Sequence, residues 1–245
     1  MQLAAGVRER VAAVHVGGGL PERLRLYDGW AARYDQDVAA LEYRAPELAA
    51  ASLAFAFPAP PAGARLLDVA CGTGLVAREL HRRGFRCLHG VDGSAGMLER
   101  ARSTGLYRRL LPCVVGREPL PAPAEHYDAV TAVGALGEGQ VPAAAVPELL
   151  RVTKPGGFLC LTTRSNPSNL RYKVELEAVL ERLERQGAWQ KELTPCTMRC
   201  RRPPCPNQEQ LCQGDTQPEK LSKHHTSLSS CNSCFKSLIF RQLCS

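Results

Sequence analysis

The chain has 245 residues, 44% of them hydrophobic, which is enough to bury one core with or without an appendage and excludes disorder throughout. Lysine and arginine number 31 against 24 aspartates and glutamates, and the resulting formal charge of +7 is too small a bias to name nucleic acid as a partner. The longest uncharged stretch, 48–64, is alanine-rich and carries Pro58, Pro60 and Pro61, so it does not read as a membrane-spanning helix.

Residues 1–57 place Leu24, Tyr27 and Trp30 at helical spacing and read as a helical preface, expected to form a lid. Arg8, Glu9 and Arg10 stand where a signal peptide needs its apolar stretch, so secretion is not expected. Residues 65–70 read as a strand and 75–83 as a helix ended by Gly84; 87–91 form a second strand, after which Ser94 caps a helix to about 103. Strands follow at 110–115, 127–133 and 158–163, with a helix at 142–152 between the last two. Asn166 and Pro167 then open a helix whose apolar face holds Leu176, Val179, Leu180 and Leu183. Alternation of strand and helix predicts an α/β, doubly wound, mainly parallel sheet over 58–189.

Composition changes near Trp189. Seven of the 11 cysteines lie in the last 55 residues, which also carry Pro195, Pro203, Pro204, Pro206 and Pro218 and only one convincing apolar run, Leu238-Ile239-Phe240. Residues 190–245 therefore read as a disordered cysteine- and proline-rich tail. Cys231-x-x-Cys234 could supply half a zinc site with Cys196, Cys200, Cys205, Cys212, His224 or His225, but the spacings make no matched pair of knuckles and no metal is expected. With secretion not expected, the cysteines read as thiols.

Ligands of doubly wound sheets bind beyond the carboxyl ends of the strands. The first such loop is Asp68-Val69-Ala70-Cys71-Gly72-Thr73-Gly74, where two glycines let backbone approach a ligand at a helix N-terminus. Gly72-x-Gly74-x-x-Ala77 with Asp92 also fits a dinucleotide fingerprint. Asp68 discriminates, because a carboxylate there repels a pyrophosphate and suits an ammonium. Simpler roles exist for each residue: Asp68 and Asp92 as strand-end caps, Trp30 and Tyr34 as helix packing, Arg164 as a solvated loop residue, His89 as a satisfied strand residue, Cys71 as a small spacer.

Leu67-Asp68-Val69-Ala70-Cys71-Gly72-Thr73-Gly74, Gly90-Val91-Asp92-Gly93-Ser94 with Met97, Tyr127-Asp128-Ala129-Val130, and Leu150-Arg151-Val152-Thr153-Lys154-Pro155-Gly156-Gly157 resemble, in order and spacing, the class I S-adenosylmethionine-dependent methyltransferases. Tyr27-Asp28-Gly29-Trp30-Ala31 and Tyr34-Asp35-Gln36-Asp37-Val38 precede them, and the resemblance covers roughly 20–187. It implies a Rossmann-like fold and S-adenosylmethionine as cofactor. Asp68, Gly72 and Gly74 would then surround the methionyl part, Asp92 would accept from both ribose hydroxyls, and Gly93, Ser94 and Met97 would flank the adenine. Relatives often place an acid after the third strand; Gly116 stands there, with the Arg117 N–H or the Glu118 side chain as substitutes. Ala70 replaces the usual first glycine, a modest departure.

In-line methyl transfer requires alignment more than a nucleophile or metal, so no catalytic residue is assigned. Tyr34, Arg164 and Asn166 are candidates on the acceptor side. Gly134-Ala135-Leu136 stands where amine-directed DNA and protein enzymes of the class show Asn or Asp before Pro-Pro-aromatic, which points to a small-molecule acceptor and no specific nucleic acid; a protein partner is left open. The cytoplasm, or the nucleus, is the expected compartment. The family's sheet ends with two more strands, and the proline-rich tail suggests that an alternative carboxyl terminus replaces them. On that expectation the fifth strand becomes an edge, and a catalytically idle cofactor-binding or interaction protein is the alternative to an active enzyme.

Overall fold

The computed structural model describes residues 6–15, 18–57, 61–192 and 235–243. An interior strand, β1 (Arg65–Val69), has successive apolar residues that face opposite sides: Leu66 joins one core and Leu67 the other. Around it stand β2 (Cys87–Asp92), β3 (Tyr107–Pro112), β4 (Tyr127–Leu136), β5 (Thr153–Arg164), β6 (Trp189–Glu192) and β7 (Phe235–Gln242). They form one seven-stranded sheet in the order β3-β2-β1-β4-β5-β7-β6. The first five are parallel, and β7 runs antiparallel between β5 and β6. The chain reverses its direction of winding between β1 and β4, which opens a crevice at their carboxyl ends.

The expected loss of the two terminal strands is overturned. β7 pairs with β5 from Phe158↔Arg241 to Arg164↔Phe235, so the fifth strand is an interior one, and β6 supplies the outer edge. Ile239 enters the core on one face and Phe240 the core on the other, where its ring stacks on Trp189 at 4.1 Å. Of the proposed tail, 190–192 and 235–242 thus belong to the sheet, while the zinc half-sites and 193–234 lie outside the described residues.

One face is covered by α4 (Ala45–Ala56) and α5 (Leu75–Arg82). Ala45, Ala49 and Ala50 are wholly buried there, their small side chains letting α4 lie close against the sheet. The uncharged stretch that begins at 48 is therefore largely a core helix, continuous with the sheet's packing. The other face is covered by α7 (Val146–Val152) and α8 (Leu170–Arg185), which bury Leu149, Leu150, Leu176, Leu180 and Leu183. Between β2 and β3 runs α6 (Ala95–Ser103), started by the Ser94 hydroxyl accepting the Met97 N–H at 3.1 Å.

Helices α1 (Val7–Ala13), α2 (Leu20–Trp30) and α3 (Tyr34–Ala40) form a separate small cluster, with Val14, Trp30 and Val38 buried together. Asp37 holds it: its carboxylate accepts two hydrogen bonds from Arg10, at 2.5 and 2.8 Å, and one from the Trp30 indole at 2.8 Å. These bonds, the Arg10 guanidinium first, hold the Asp37 carboxyl below the ordinary carboxylate range.

Candidate active site

The two Tyr-Asp pairs of the preface divide their labour. Asp28 accepts the Ser94 hydroxyl at 2.6 Å and the Gly96 N–H at 2.9 Å, and Asp35 accepts the Thr73 hydroxyl at 2.5 Å and Arg78 at 3.2 Å. Each aspartate ties its helix to one of the loops after β1 and β2. Gly96 permits this approach, since a β-carbon there would stand 2.9 Å from the Asp28 Cα and carbonyl oxygen. The neighbouring tyrosines, Tyr27 and Tyr34, face the crevice.

Beneath them lies a cavity of ≈ 150 Å³. Ala70, Gly72, Asp92, Gly93 and Met97 line it from the sheet side, as the sequence anticipates. Asp92 accepts the Gly72 N–H on one oxygen and the Ser94 N–H on the other, both at 2.8 Å. Each oxygen keeps a further lone pair. Burial, opposed by those N–H bonds, raises the Asp92 carboxyl above its usual range. Ala70 sits in the left-handed region at φ 54°, which costs an alanine on the order of 1–2 kcal/mol and explains why a glycine would suit the position.

The other expected residues stand beside this cavity. Asp68, 2% exposed, lies under the glycine turn, where its carboxylate accepts the Tyr107 hydroxyl at 2.7 Å and the Thr131 hydroxyl at 2.8 Å. Burial outweighs both bonds and pushes its carboxyl up to about 6. Gly74 starts α5 at φ 92°, and the Ser94 hydroxyl is spent on its cap and on Asp28. Gly116, Arg117 and Glu118 do not line the cavity: the Arg117 N–H bonds the Val114 carbonyl at 3.0 Å and the Glu118 carboxylate accepts the Val114 N–H at 2.6 Å. That loop closes on itself, and Cys113, Val114 and Val115 face the cavity in its place. Cys71 is buried with its thiol pushed well up by desolvation, and His89 is satisfied by the Tyr127 hydroxyl at 3.1 Å.

A second chamber of ≈ 200 Å³ adjoins the first, and Tyr27, Tyr34, Gly134 and Gln140 belong to both. All three acceptor-side candidates, Tyr34, Arg164 and Asn166, lie on its wall with Trp30, Tyr43 and His15. Burial pushes the Tyr34 and Tyr43 phenols far above their ordinary range, so both stay protonated at neutral pH. Sequence reasoning missed Tyr43, Gln140 and His15, which come from parts of the chain with no motif of their own.

A family model described as a methyltransferase domain matches residues 67–161. Methyltransferase-like protein 27 of Homo sapiens is 60% identical over 184 residues, which cover 75% of this chain and 75% of that protein. The chain belongs to the class I S-adenosylmethionine-dependent methyltransferases. Demethylmenaquinone methyltransferase of Mycolicibacterium paratuberculosis is 33% identical over 164 residues, 65% of this chain and 69% of its own length. The solved TehB-like S-adenosylmethionine-dependent methyltransferase of Corynebacterium glutamicum shares the fold at a TM-score of 0.53 and 15% identity, over 88% of this chain and 97% of that one. S-adenosylmethionine is the cofactor of this methyltransferase, and the crevice suits it: a cavity floored by a glycine turn, with a buried carboxylate whose oxygens have lone pairs to spare. Among the described residues no helix is long and apolar enough to cross a membrane.

Proposed function

We propose that this methyltransferase holds its cofactor in the first cavity and methylates a small molecule held in the second. The observation that carries this reading is the shared wall, Tyr27, Tyr34, Gly134 and Gln140, which makes the two chambers adjacent compartments of one crevice. When bound, S-adenosylmethionine supplies an electrophilic methyl group on a sulfonium. Asp92 then accepts the ribose hydroxyls, Gly72 and Gly93 admit the ligand against backbone, and Met97 and Val114 flank the base. Helices α2 and α3, tied down by Asp28 and Asp35, and α1, joined to them through Arg10 and Asp37, act as the lid that excludes water. The Tyr34 and Tyr43 hydroxyls, neutral as they are, hold and orient an acceptor and do not deprotonate it.

A chamber of ≈ 200 Å³ accommodates a small organic molecule. The relative named for demethylmenaquinone acts on such an acceptor, in keeping with this reading. The ground for an idle binding protein was the loss of the terminal strands, and both are present. Incubation of the full chain with methyl-labelled S-adenosylmethionine and a fractionated cell extract is expected to place label in the small-molecule fraction. Label confined to protein or nucleic acid would sink the proposal.

Asp68 makes cofactor binding depend on pH. Its carboxyl, at about 6 in the folded protein against 3.8 ordinarily, contributes stability that is fully present below about 4 and is lost as pH rises through 6. A cationic ligand reverses this by favouring the ionised form, and the nearby Asp92, also raised, acts in the same sense. Affinity for S-adenosylmethionine is therefore expected to rise by roughly tenfold between pH 5 and pH 7, and to rise less steeply over that range in Asp68→Asn, where Asp92 alone remains. Calorimetry across the range checks this, and an equal slope in the two proteins would refute it.

A further inference from the structure

The second chamber has an electrostatic character that methyl transfer by itself does not require. Among the described residues its one cation is Arg164, half-buried at the end of β5, and no aspartate or glutamate lines the wall. Among the described residues the guanidinium forms no salt bridge, and its hydrogen-bond partner is His15 Nε2, 3.0 Å from Nη1. A guanidinium only donates, so this nitrogen accepts and the imidazole is neutral. Desolvation, then the Arg164 and Arg23 charges, lower His15 to about 4, so the ring does not add a second charge at neutral pH. Arg164 is thus a partly desolvated cation with most of its donors turned to no carboxylate, an arrangement that costs free energy unless an anion completes it.

The remaining wall gives the rest of the ligand. Tyr27, Trp30, Tyr34 and Tyr43 present rings, which suit a flat apolar body. Two side-chain oxygens on the wall, Asn166 Oδ1 and Gln140 Oε1, are buried without a hydrogen-bond partner and call for a donor. We propose that the acceptor is a small aromatic carboxylate bearing a hydroxyl or amine, with its carboxylate paired to Arg164 and its donor facing the unpaired amide oxygens. A carboxylate matches one guanidinium fork, whereas a phosphate dianion would leave charge unanswered, and an ammonium would find no counter-ion. The inference rests on the two-chamber reading and narrows its substrate class.

The test is calorimetry on the full chain loaded with S-adenosylhomocysteine. The panel comprises benzoate, 4-hydroxybenzoate, 3,4-dihydroxybenzoate and indole-3-carboxylate, their uncharged amides, phenyl phosphate and phenethylamine. At least one carboxylate is expected to bind roughly tenfold or more tightly than its amide, and Arg164→Gln is expected to abolish that preference, with Arg164→Lys restoring part of it. Retained binding of S-adenosylhomocysteine in the variants shows that they fold. Failure of that compound to bind the unaltered chain would overturn the two-chamber reading itself. Binding of it with no carboxylate preference, with a preference that survives Arg164→Gln, with phosphate or amine preferred, or with no panel member bound, would overturn the present inference alone.

Discussion

Asp92→Ala is expected to weaken S-adenosylmethionine binding by roughly 10² to 10⁴-fold, because two hydrogen bonds to a charged carboxylate are worth about 1.5–3 kcal/mol each. The geometry concentrates the effect in one side chain. Asp92 sits at the end of β2 with one oxygen on the Gly72 N–H and the other on the Ser94 N–H, so its position is fixed before the ligand arrives. Alanine removes the acceptors and also frees the glycine turn and the start of α6. Asp92→Asn separates the two losses: an amide keeps one acceptor oxygen but sets its NH₂ group against a backbone N–H, and its affinity is expected to fall between those of the other two proteins. Calorimetry measures the affinities and thermal unfolding monitors the fold. An unchanged affinity in a folded Asp92→Ala protein would remove the residue from the site.

The second large effect is expected far from the crevice. Phe240→Ala should lower the unfolding free energy by about 3–5 kcal/mol, the usual cost of deleting a large buried ring. Phe240 is 3% exposed and stacks on Trp189, itself 1% exposed, with the rings inclined by 14°. Trp189 is further fixed by its indole N–H donating to the Leu180 carbonyl at 3.1 Å, so α8 and the last two strands meet at this pair. Urea unfolding measures the loss, and a change below about 1 kcal/mol would show that β7 is not held by its core face.

Most of the parallel sheet was readable, because strands buried on both faces leave continuous apolar runs such as Leu66-Leu67 and Leu159-Cys160-Leu161. The glycine turn and the Ser94 cap declared themselves through local chemistry. β3 was misplaced by three residues for a physical reason. Arg108 and Arg109 are exposed on this edge strand and leave no apolar signal, while Cys113, Val114 and Val115 are apolar because they face the cavity. The terminal strands failed for another. Apart from Trp189, β6 is Gln190-Lys191-Glu192, and the apolar run at Leu238-Ile239-Phe240 finds its partners only across a long separation in the chain. Of the second chamber, Tyr34, Arg164 and Asn166 were accessible from their places relative to the strands, whereas His15, Tyr43 and Gln140 meet there only through folding.

The order of the strands in space is not their order of manufacture. β5 ends at Arg164, and the strand that covers its outer side begins at Phe235, about seventy residues later. At synthesis rates of about 5–20 residues per second, that interval lasts about 4–14 s. Until β7 is made, the seven positions of β5 from Phe158 to Arg164 lack the strand that covers them in the finished sheet. Completion of the sheet is therefore a late event in translation, because the place beside β5 is filled by the last of the described strands to be made.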